Sequence, residues 1–146
     1  MAGHGLLTLA VSLGALLIPS AAAACDCVRL VPGSPHFESG VDRIALYYPV
    51  AAEGVIESDG PYAWRLRPTR EYRGPRQASY RIELLSDCSL DPQAMRSVIG
   101  KTVFVLLSEG QGQNRGSYEI QRCVNLLGAD VEQAIRARIG ADCQPR

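Results

Sequence analysis

The placement of the cysteines constrains this chain more than any other feature. Five occur in 146 residues, at positions 25, 27, 88, 123 and 143. Two of them stand one residue apart in "AAAACDC" (21–27), directly behind an apolar run. In an exported protein, cysteines read first as disulfides. Such bonds restrict the chain to folds that bring the bonded segments together. An odd count leaves one cysteine over.

The apolar run points to export. Residues 1–24 carry no Asp, Glu, Lys or Arg. Leu6–Ile18 is an apolar segment of 13 residues, shorter than the roughly 20 that a membrane-spanning helix needs. Pro19 and Ser20 break it, and Ala22-Ala23-Ala24 supplies small residues at −3 and −1 of a cleavage site. The segment before the run offers only the amino group and His4. We expect residues 1–24 to be a signal peptide cut after Ala24 and residues 25–146 to be one domain, secreted or periplasmic. No transmembrane span is expected. A core helix is the alternative for this segment, but it would normally show a polar face. A lipid anchor at Cys25 is the lesser reading, because Ala22 stands where a lipoprotein signal usually has Leu. A redox or metal-binding dithiol at Cys25 and Cys27 would need free thiols.

The 15 basic and 15 acidic residues all lie beyond residue 24. Their balance gives no global pull toward nucleic acid or a membrane surface.

The periodicities predict a mainly β chain. Phe37, Val41, Ile44 and Tyr48 recur at spacings of 4, 3 and 4, one face of an amphipathic helix that Pro49 ends. Strands are predicted over Val50–Ser58, Tyr62–Gly74, Arg76–Ser86, Thr102–Glu109 and Ser117–Cys123. Gly54, inside the first, marks a bulge or a close backbone approach. In the second, Trp64 and Leu66 alternate with Arg65 and Arg67, and Pro68 bends it or places it at an edge. In the third, Tyr80, Ile82 and Leu84 face one way. Asp91 with Pro92 opens a short helix that Gly100 closes. "GQGQNRG" (Gly110–Gly116) is a hairpin loop. Val131, Ala134, Ile135 and Ile139 give the final helix, 128–140, its apolar face. The expected fold is a five-stranded OB-fold-like barrel with short N-terminal and C-terminal helices.

These segments together resemble the tissue inhibitors of metalloproteinases and the wider netrin-like domain, in particular its short bacterial members. The resemblance rests on the opening Cys-x-Cys, "PVAAEGVIE", "WRLRPTREYRGP", "YRIELLSDC", "GKTVFVLL" and "YEIQRC". It covers nearly all of residues 25–140. It implies Cys25–Cys88 and Cys27–Cys123 disulfides, one of the three connectivities that four cysteines allow. It leaves Cys143 as a free thiol or an intermolecular link.

The resemblance also implies a chemistry for the head. In that family the first residue's α-amine and carbonyl oxygen bind the open position of a protease's catalytic zinc. An α-amine with a pKa of about 7.7–8 is partly neutral at physiological pH and can donate its lone pair. Here the contacts would be Cys25 and Asp26, and the partner an extracellular metalloprotease. Asp26 departs from the family's small Thr or Ser. Its charge costs several kcal/mol to bury in an apolar pocket unless it is paired.

A second candidate site is basic. Arg65, Arg67, Arg70 and Arg73, followed by Arg76 and Arg81, interleave with Tyr62, Trp64, Tyr72 and Tyr80. On an OB-type barrel this could bind an anionic polysaccharide. The plainer reading is a solvated face whose arginines pair with Glu53, Glu57 and Glu83. Export argues against nucleic acid as the normal ligand. "GKT" (Gly100–Thr102) is no phosphate loop, because Met95 stands where the motif requires Gly. His36 is the only histidine beyond residue 24, which leaves no histidine-based metal site and no evident hydrolase pairing. We therefore expect no enzyme activity, no catalytic residues, no cofactor and no intrinsic metal. The expected function is a binding module, with a structural accessory protein as the remaining alternative.

Overall fold

In a computed structural model of the chain, the described residues are 25, 27, 29–125 and 128–142. The expected signal peptide, Asp26 and Cys143 lie outside them. Five strands and four helices follow in order: α1 (Phe37–Tyr47), β1 (Val50–Ser58), β2 (Ala63–Arg73), β3 (Tyr80–Glu83), α2 (Pro92–Val98), β4 (Thr102–Glu109), β5 (Ser117–Ile120), α3 (Arg122–Asn125) and α4 (Ala129–Asp142).

The strands pair in the order β1-β2-β3-β5-β4, and β4 returns to β1, so the sheet is a closed barrel. All pairs are antiparallel except β3 with β5. Strand alternation sorts the side chains into two cores. Val50, Ala52, Ile56, Trp64, Leu66, Tyr80, Ile82, Val105, Leu107, Tyr118 and Ile120 form the first, inside the barrel. Met95 of α2 packs into the same cluster, so this helix covers one end of the barrel. Asp91 starts α2 by accepting hydrogen bonds from the Gln93 and Ala94 amides, with Pro92 in the first turn.

The second core lies between the barrel wall and two helices. Val41 and Ala45 of α1 meet Val131, Ile135 and Ile139 of α4 over Ala51 and Leu106. Arg136 fastens α4 to the wall. It pairs with Glu53 and Glu132, donates to the Tyr72 hydroxyl at 3.2 Å, and lies 4.5 Å from the Phe104 ring centre. Burial opposes its charge, but these acceptors more than offset that and raise its pKa.

Gly54 is a close approach. A Cβ there would run into the Arg67 carbonyl oxygen and lie 2.8 Å from the Pro68 Cα. The β1–β2 register shifts beside it, between Glu53 and Gly54. β1 and β4 occupy the predicted spans.

β2 falls one residue short of its predicted span at each end, and two other predicted strands are much shorter in the structure. β3 is only Tyr80–Glu83, and Leu84, expected on its apolar side, is 39% exposed. The chain leaves the sheet here because Ser89 caps the following turn, its hydroxyl accepting the Leu85 and Ser86 amides. β5 stops at Ile120. Gln121 makes a single bridge to Ser89, and Arg122–Asn125 turns into α3.

Candidate functional site

The head of the domain is held at one end of β5. Cys25 is bonded to Cys88 and Cys27 to Cys123, with Cα separations of 5.6 and 4.9 Å. This is the pairing that the resemblance implies. The two anchor points are themselves joined, since the Arg122 amide donates to the Cys88 carbonyl at 2.8 Å. The Leu90 amide donates to the Ile120 carbonyl at 2.7 Å, fixing the far side of the Cys88 turn.

A polar clamp lies beneath this junction. The Glu119 carboxylate is buried on the outer face of β5. It accepts the hydroxyls of Ser86 at 2.8 Å and Ser89 at 2.6 Å, and the Gln121 amide at 3.4 Å. The Tyr48 hydroxyl donates to Gln121 Oε1 at 2.8 Å. Burial first, and then Tyr47 and Glu119, push the Tyr48 phenol up to about 12. Ser86 and Ser89 flank Cys88, so the clamp positions the residue to which Cys25 is bonded. Glu119 was not singled out from the sequence, because alternation in "SYEIQ" reads it as a solvated position. Its signal lies in the serines on either side of Cys88.

The arginines of β2 separate into different environments. Arg65 pairs with Asp59 at 3.0 Å and Arg67 with Glu57 at 2.8 Å. Arg81, the register partner of Arg65 on β3, pairs with Glu83 at 2.6 Å. Arg70 lies 4.8 Å from the centre of the Tyr72 ring. Arg73 turns to the end of α1 and donates to the Ala45 and Tyr48 carbonyls, where cationic side chains are favoured. The β2–β3 face is thus a lattice of alternating charge. Of the three acids expected to pair with these arginines, Glu57 and Glu83 do so, while Glu53 binds Arg136 of α4.

Among the described residues, no cluster of three or more His, Cys, Asp or Glu side chains could hold a metal ion. Nor is any helix there long and apolar enough to cross a membrane. No family model, no curated protein and no solved structure matches this chain.

Proposed function

We propose that this protein is an exported, non-enzymatic binding module of the OB type that presents the Cys25 end of its domain to a partner. The observation that carries this reading is the head itself. Two disulfides, one hydrogen-bonded junction between their anchors and a buried carboxylate fix Cys25 and Cys27, which lie outside any helix or strand. Pre-ordering a short segment reduces the entropy lost when it binds. The OB-type assignment is supported by the strand order, by the single parallel pair β3–β5, and by α2 covering the barrel between β3 and β4.

The partner we favour is a zinc metalloprotease, bound through the α-amine and carbonyl of Cys25 once residues 1–24 are removed. The test compares the chain starting at Cys25 with the same chain carrying one extra N-terminal alanine, against a panel of zinc proteases. Inhibition by the first and not the second is expected. Equal behaviour of the two would remove the mechanism. The anionic-polysaccharide reading draws less support, since Arg65, Arg67 and Arg81 each have an acidic partner.

A further inference from the structure

We infer that a second binding site lies in the cleft between the end of α1 and the β4–β5 loop, and that it takes a neutral saccharide unit. The cleft has a volume of about 510 Å³ and is lined by Tyr47, Pro49, Ser108, Glu109, Gln111 and Arg115, among others. That lies within the range of small-molecule sites, about 300–1,000 Å³.

Two observations set the ligand class. The first is an exposed aromatic ring. Tyr47 is 66% exposed at the last turn of α1, its ring set edge-on to Tyr48 at 5.0 Å. Tyr48 is itself held by Gln121, so the exposed ring rests on a fixed neighbour. An aromatic face of this kind matches the C–H face of a pyranose. The second is a set of planar polar groups. The Glu109 carboxylate, the Gln111 amide and the Arg115 guanidinium offer acceptors and donors together. One acid and one base line the cleft, so charge does not select an anion.

The loop is organised before any ligand arrives. The Gly110 amide donates to the Ser117 carbonyl at 2.8 Å, and the Asn114 amide to the Gln111 carbonyl at 3.1 Å. Gly112 takes φ +61°, a conformation that suits glycine. Ser108 is the register partner of Glu119, so this cleft and the clamp under the head share one strand pair.

The test uses the disulfide-bonded chain from residue 25 and saturation-transfer NMR with cellobiose, maltose and diacetylchitobiose. At least one of these should receive saturation, and Tyr47→Ala and Arg115→Ala should each weaken binding about tenfold or more. Val31→Ala, at an apolar residue 50% exposed and outside the cleft, should leave it unchanged. Correct folding of every variant is checked by its amide spectrum. Failure of all three sugars would overturn the proposal. So would binding that survives Tyr47→Ala, or a marked preference for a sulfated disaccharide. Protease inhibition is unaffected by this outcome, since the sugar assay reads only the cleft.

Discussion

The Glu119 carboxylate accepts the Ser89 hydroxyl at 2.6 Å where Glu119 is only 8% exposed. Ser89 in turn accepts the Leu85 and Ser86 amides. Truncating the acid strands the hydroxyls of Ser86 and Ser89. Glu119→Ala should therefore lower stability by about 2–3 kcal/mol, whereas Glu119→Gln, which keeps an acceptor oxygen, should cost about 1 kcal/mol. Urea unfolding with both disulfides intact measures the difference. Equal losses for the two variants would mean that hydrogen bonding at this site does not hold the Cys88 turn.

Gly54 is the point where β1 and β2 come closest. Gly54→Ala must push the new methyl against the Arg67 carbonyl and Pro68, which are backbone and cannot rotate away. A loss of about 1–3 kcal/mol is expected from overpacking of this kind. Gly140→Ala serves as the control, since it lies within α4 and a Cβ there meets nothing within 4 Å. The urea midpoint should fall for the first and not for the second, where alanine favours the helix, with the slope unchanged in both.

The elements that the sequence located well are those whose signal is local. β1 and β4 are long enough for alternation and apolar content to mark both ends, and Asp91-Pro92 states the start of α2 in two residues. Gly54 was legible as a close approach because a glycine inside a strand has few other reasons. β3 and β5 came out too long because their ends are set by partners distant in sequence. Ser89 bridges Gln121, and Arg122 binds Cys88, so each strand stops where the other's loop needs it. Glu119 escaped for the same reason, as only the fold brings Ser86 and Ser89 over it. The arginines of β2 were visible as a run, but their pairing depends on the β1–β2 turn and on where α1 ends, as Asp59 and Ala45 show.

The two disulfides close interleaved loops of sequence separation 63 and 96, which share residues 27–88. In the chain-entropy model either bond alone stabilises by about 4–5 kcal/mol. They restrict overlapping stretches of the same unfolded chain, so their contributions overlap. Cys25→Ser with Cys88→Ser should cost nearly as much as Cys27→Ser with Cys123→Ser. Each bond still restricts the shared stretch when the other is removed, so removing all four cysteines should cost clearly more than the sum of the two pairs. Urea titrations of the three proteins under matched conditions give the comparison, and strict additivity would rule out a shared entropic origin.

The last prediction concerns acid. Asp91 accepts the Ala94 and Gln93 amides at the start of α2, and these bonds lower its pKa, with the Ala94 bond the largest influence. An acid whose folded pKa lies below its unfolded value, about 3.9 for Asp, releases its proton more readily in the folded state. Between the two values the unfolded chain binds more protons, so stability rises with pH through that window. The contribution is complete above the unfolded value and is lost as pH falls through the folded one. Asp91→Asn keeps a capping oxygen but removes the charge, so it isolates this term from the cap itself. The wild type should exceed the variant in thermal midpoint at neutral pH, and the gap should narrow and close as the solution is taken below about pH 4. Thermal melts of both proteins at several pH values read the gap directly. A gap that stays constant down to the lowest pH would show that the Asp91 charge contributes nothing to holding α2 over the end of the barrel.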